Sequence, residues 1–131
     1  MNRSVAAIVV RCGTVLLARR KPGGAIGGCW EFPGGKVDGA ETAPQAVRRE
    51  LHEELGVRCH VDAEVARAAF QNGPEHYLLQ AYEVTLCSAR FRLSEHETVR
   101  WTPWSEVETL DLADSDRALL PQLLTRYGRQ P

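Results

Sequence analysis

The stretch GKVDGAETAPQAVRRELHEELGV, residues 35–57, decides the fold. Ala43, Val47, Leu51 and Leu55 recur at i, i+4 and predict an amphipathic helix over Thr42–Leu55. Pro44 falls in its first turn, where a missing N–H costs little, and Gly56 follows as the C-terminal stop. Steps of three and four return to one face, so Glu50, Glu53 and Glu54 share one flank of this helix, beside the apolar stripe. Like charges so placed repel, and a cluster of this kind calls for a cation to hold it together.

Outward from the helix the pattern is extended. SVAAIVVRCGTVLLARR predicts two strands broken at Cys12-Gly13. KPGGAIGG, residues 21–28, reads as a glycine-rich loop, and CWEFPGG as a short strand ended by Pro33 and the two glycines. Downstream, residues 57–86 read as extended with a turn at NGP, residues 72–74, and TVRWTPW, residues 98–104, as a further strand. Residues 114–127 carry Leu119, Leu120, Leu123 and Leu124 and predict a closing helix, with a frayed GRQP tail. Strands, helix, strands, helix give an α/β fold: a sandwich of helices around a mixed β-sheet, in one domain spanning residues 1–131.

Composition narrows the function. With 131 residues, 44% hydrophobic and 25% charged, the chain suits one globular core. A net charge of -1 supplies no field for a nucleic-acid polymer or an anionic membrane. No apolar run approaches the roughly 18 residues of a membrane span, and VAAIVV is too short for a signal peptide core. Cys12, Cys29, Cys59 and Cys87 form no C-x-x-C pair, which argues against a zinc site or disulfide frame. They are expected to be reduced, mostly buried thiols in a cytoplasmic protein.

Three crowded carboxylates are a hard-oxygen donor set and suit Mg²⁺, with Mn²⁺ as a substitute. Such an ion keeps positions for water and for phosphate oxygens. Arg49, four residues before Glu53, is placed to hold it, and Glu41 sits at the helix start where the macrodipole favours an anion. The Gly34-Gly35 pair lets backbone approach the site.

The spacing G-x5-E-x7-R-E-U-x-E-E-x-G-U (U aliphatic) is filled at every fixed place by Gly35, Glu41, Arg49, Glu50, Leu51, Glu53, Glu54, Gly56 and Val57. By that motif the chain resembles the Nudix hydrolases. WEFPGGK, the ARR at residues 18–20, EHETVRW and DSDRALL extend the likeness to the MutT branch over most of the chain. The resemblance implies the Nudix fold and a metal-dependent hydrolysis of nucleoside triphosphates to a monophosphate and pyrophosphate. Oxidised purine nucleotides such as 8-oxo-dGTP, or cytidine nucleotides, are the implied substrates, in a monomer or homodimer that sanitises or adjusts the nucleotide pool.

The resemblance also implies roles. Glu50, Glu53 and Glu54 would bind metal with the Gly34 carbonyl, Arg49 would orient the acids, and Glu41 would support the loop into the helix. The base is Glu53 or Glu95. Arg20 matches a phosphate-binding arginine or a solvent-facing strand end, and Lys36 is placed to reach phosphate. Phe32 stacks on the nucleobase or belongs to the core. Asp116 stands where MutT has an asparagine that reads guanine. An ionised Asp only accepts hydrogen bonds, which opens cytosine as a substrate base, although Asp116 or Asp114 also suits a helix cap. Two rival readings remain: a Nudix hydrolase of another substrate such as ADP-ribose, and a non-catalytic binding module, which the intact glutamate set opposes.

Overall fold

The computed structural model describes residues 2–24 and 27–128. The strands are β1 (Asn2–Arg11), β2 (Thr14–Arg20), β3 (Trp30–Glu31), β4 (Gly34–Lys36), β5 (Cys59–Asn72), β6 (Glu75–Leu86) and β7 (His96–Pro103). The helices are α1 (Ala43–Leu55), α2 (Trp104–Val107), α3 (Asp114–Arg117) and α4 (Leu120–Tyr127).

β1 is the hub. Its first part pairs parallel with β6 and antiparallel with β4, and its end turns through Cys12-Gly13 into antiparallel β2. β5 closes one side on β6, while β3 and β7 flank β2. The sheet is therefore mixed. Alternate residues of β1 feed two cores, because successive strand side chains point to opposite faces. Val5, Ala7 and Val9 join Leu16 against α1 through Ala43, Ala46, Val47, Leu51 and Leu55. Ala6 and Ile8 join Val15, Leu17 and Phe32 against Trp104, Val107, Leu119, Leu120 and Leu123. This is the expected helix–sheet–helix sandwich.

The helix of the motif forms as its sequence requires. Thr42 caps it, accepting from the Gln45 N–H at 3.2 Å while Gln45 Oε1 accepts from the Thr42 N–H at 2.9 Å. Gly56 ends it in the left-handed conformation, φ 69°. Gly73, φ 61°, turns the β5–β6 hairpin within NGP.

Several expectations are corrected. Gly34 and Gly35 do not end a strand; they are strand residues themselves, pairing as β4 with Ala6 and Val5. No Cβ fits at Gly34, since it would meet the Val5 carbonyl oxygen at 2.0 Å. Residues 114–127 are two helices, because Pro121 supplies no N–H and tolerates only the first turn of a new helix. The strand at residues 98–104 begins earlier, at His96, and Trp104 already belongs to α2. Of the four free cysteines only Cys59 is buried; Cys12 and Cys87 are exposed on turns and strand ends. Part of the glycine-rich loop, residues 25–26, and of the tail, residues 129–131, lies outside the described residues.

Candidate active site

Arg49 organises the acidic flank of α1. Its Nε donates to Glu41 Oε2 at 2.7 Å, its Nη1 to Glu50 at 2.7 Å and to Glu53 at 3.1 Å, and its Nη2 to the Lys36 carbonyl at 2.8 Å. One guanidinium thus ties the helix to β4 and to the loop before the helix. The bond to Arg49, and a second from the Asp38 N–H, hold the Glu41 carboxyl down at about 2. Glu41 lies before the Thr42 cap and there is no acid in the first turn, so it serves Arg49 and the loop rather than the helix dipole.

Glu54 and Glu50 are the inner acids. Glu54 is buried, 3% exposed, and accepts from the Gly34 N–H at 3.2 Å. Burial, and then the charge of Glu50, push its carboxyl up to about 9 despite that bond. Burial also raises Glu50 against the pull of Arg49. Glu53 stands apart: it is turned to Arg49 with 55% of its side chain exposed. Among the described residues no three acids, imidazoles or thiols converge on one point: Glu50 faces Glu54 on its inner side and shares the Arg49 Nη1 donor with Glu53 on its outer side.

A divalent cation fits this donor set. The two inner acids are hard oxygen ligands whose mutual crowding a dipositive ion relieves. Gly35 keeps the space open, because a Cβ there would lie 2.6 Å from the Glu50 carboxylate.

A cleft lies beside these acids, and it meets them through Gly34, bonded to Glu54, and Gly35, which abuts Glu50. Ser4, Arg20, Glu31, Gly34, Phe70 and Asp116 line it, with Phe32 at its base. Arg20 is half-buried and donates to Glu31 Oε2 at 3.0 Å. Burial works against its charge, but Glu31, Glu95 and Glu54 outweigh that and raise it. Its environment is therefore acidic rather than open to solvent. Phe32 is 3% exposed and packs in the core under the cleft. Its N–H donates to Asp116 Oδ2 at 2.9 Å, so Asp116 joins α3 to the strand leaving β3 and caps no helix. Asp114 caps none either; the residue before α3 is Ala113. Burial first, then Glu31, push the Asp116 carboxyl up to about 8, against the Phe32 N–H. At neutral pH it therefore holds a proton and can donate, which the premise of an ionised, accept-only Asp had excluded.

Lys36 points away from the cleft, with its ammonium 5.5 Å above the Tyr77 ring in a separate recess shared with Asn2, Arg3 and Glu75. Glu95 is exposed on the loop before β7. That loop is fastened to α1: the Arg92 N–H donates to the Leu55 carbonyl at 2.8 Å and Ser94 Oγ to the Glu53 carbonyl at 2.9 Å. Sequence reasoning missed Glu31 and Phe70. Glu31 had a signal, an acid between two aromatics in WEF. Phe70, stacked on Tyr77 at 5.0 Å, is one of many apolar letters in β5, and only the hairpin brings it to the cleft.

Comparison with known proteins agrees with this geometry. The chain is 35% identical to the CTP pyrophosphohydrolase of Escherichia coli over 131 residues, covering 100% of this chain and 97% of that protein. It is 36% identical over 122 residues to a putative 8-oxo-dGTP diphosphatase 2 of Mycobacterium tuberculosis, covering 91% and 85%. The solution structure of the E. coli ORF135 protein superposes with a TM-score of 0.88 at 35% identity, covering 98% of this chain and 93% of that one. A MutT NUDIX hydrolase from Burkholderia pseudomallei superposes with a TM-score of 0.81 at 30% identity, covering 93% and 97%. The NUDIX domain itself matches residues 1–123, and with the intact acidic helix, the arginine clamp and the adjoining cleft, the chain belongs to the Nudix hydrolase family.

Proposed function

We propose that this protein hydrolyses nucleoside triphosphates, cytidine nucleotides or oxidised purine nucleotides such as 8-oxo-dGTP among them, to a monophosphate and pyrophosphate. The observation that carries the reading is the continuity of the site: Gly34, whose N–H binds the buried Glu54, and Gly35, which abuts the half-buried Glu50, line the cleft that also holds Asp116. A triphosphate laid along it sets its phosphates at the acids and its base near Asp116 and Phe70. The names of the relatives support the same class of substrate.

The divalent cation used by the family is Mg²⁺ in this reading, with Mn²⁺ as a substitute, held by Glu50, Glu54 and the Gly34 backbone, with Glu53 able to swing in from Arg49. When bound it would supply phosphate charge neutralisation and an activated water. The protein's own residues do the rest. Arg49 keeps the acids in place through charge-assisted bonds. We assign proton removal to Glu53, which stands on a rigid helix under the control of Arg49, rather than to Glu95, which has no hydrogen-bond partner among the described residues. Arg20 neutralises charge between Glu31 and the phosphates. At Asp116 a protonated carboxyl can donate to a base carbonyl as well as accept from an amino group. Small-molecule substrate and a cytoplasmic site of action belong to the same reading; no helix of the described residues is long and apolar enough to cross a membrane.

The test is pyrophosphate release from a panel of canonical and oxidised nucleoside triphosphates, ADP-ribose and dinucleoside polyphosphates with Mg²⁺. Turnover confined to ADP-ribose defeats the proposal. Calorimetry that detects no Mg²⁺ or Mn²⁺ uptake, with or without nucleotide, defeats it as well.

A further inference from the structure

His96 is the most buried ionisable side chain that the proposed chemistry does not use, at 1% exposure. Its Nε2 lies 2.8 Å from Glu31 Oε2, the same oxygen that accepts from Arg20. Its Nδ1 has no partner among the described residues, so the bond to Glu31 is the ring's one polar contact there. An oxygen already accepting from Arg20 takes a second donor here, which places the proton of the imidazole on Nε2.

The strand pairing shows that this contact depends on a local irregularity. β2 and β7 pair regularly through Ala18↔Val99 and Arg19↔Thr98. A continued ladder would set Glu97 opposite Arg20, but the register shifts there and sets His96 opposite it instead. A bulge re-aims side chains beside a site. Here it turns His96 inward to Glu31, while Glu97 stays outside with Arg19 at 3.3 Å. Glu31 belongs to the cleft wall and lies near both Asp116 and Glu54, and the two donors on its Oε2, Arg20 and His96, fix the direction its carboxylate takes between them.

We propose that His96 is a positioning residue for nucleotide binding: by holding Glu31 Oε2 together with Arg20 it locks the Glu31 carboxylate in the cleft wall and so sets base selectivity. This rests on the reading of the cleft as a nucleotide site. Glu31 Oε1 has no partner among the described residues and is the oxygen left for a substrate donor.

The experiment compares wild type, His96→Leu and His96→Gln, whose amide can replace the Nε2–H donor. For each, kcat and KM are measured with CTP and GTP, the Kd for CMP and GMP by calorimetry without metal, and Tm. A lost bond to a charged group corresponds to about 10-fold to 100-fold. His96→Leu should raise KM and Kd at least about tenfold, leave kcat within about twofold and flatten the CTP-to-GTP preference, and His96→Gln should recover most of the loss. Wild-type KM, Kd and preference in a folded His96→Leu overturns the proposal, and so does a His96→Gln as impaired as His96→Leu. Should His96→Leu not fold, Glu31→Ala decides with Glu31→Ala/His96→Gln: equal KM in both supports action through Glu31, and a further rise overturns it. A wild type that binds monophosphates but releases no pyrophosphate from triphosphates defeats the proposed function alone, since the Kd comparison still reads His96.

Discussion

Glu53 is the residue whose chemistry and structural duty separate most cleanly. Its side chain is exposed and, among the described residues, bound only to Arg49, which keeps Glu41 and Glu50 as further partners. Glu53→Gln should therefore lower pyrophosphate release by about 100-fold or more while Tm stays near that of wild type. Near-native turnover removes Glu53 from proton transfer and turns attention to Glu95. Gly35→Ala makes a complementary case. The added methyl would sit 2.6 Å from the Glu50 carboxylate, and that side chain must move. The expected result is weaker Mg²⁺ binding by calorimetry and slower turnover, against the unaltered values that a mere surface glycine would give.

At the scale of elements, α1 acts as a rigid rod pinned at both ends. Its first turn depends on the Thr42–Gln45 capping box. Thr42→Ala should cost about 1 kcal/mol, read as a lower midpoint in urea with an unchanged slope. Arg49 pins the rod to β4 through the Lys36 carbonyl and to the preceding loop through Glu41. Lysine is a point donor without the planar fork, so Arg49→Lys should keep the charge and still lose most of the activity. Retention of wild-type kcat by Arg49→Lys contradicts the clamp. The broken closing segment belongs to this scale too. Its leucines pack as expected, but Pro121 divides it, and the division leaves Asp116 on a short helix facing the Phe32 N–H.

For the whole molecule, burial of Asp116 between sheet and helices makes folding depend on pH. The folded state holds its proton from about pH 4 to about pH 8, a range in which the unfolded chain, with an ordinary carboxyl near 3.8, has lost it. The folded form binds more protons there, so this group's contribution to stability falls as pH rises through that window and levels off above about 8. Asp116→Asn keeps an acceptor for the Phe32 N–H and removes the ionisation. The stability of the variant relative to wild type should climb from pH 4 to pH 8 in urea denaturation, and a pH-independent difference contradicts the assignment. What the letters alone determined was local: the apolar stripe of α1, the proline in its first turn, its glycine stop, the acidic flank and the pairing of Arg49 with Glu53 are all set by residues within a few positions of each other. What only the tertiary structure decided was long-range: Glu54 buried against the Gly34 N–H, Phe32 in the core with Phe70 at the cleft, Lys36 facing Tyr77, and a register shift aiming His96 at Glu31. Each depends on pairing between strands or on desolvation by distant elements, and neither leaves a mark in the spacing of neighbouring residues.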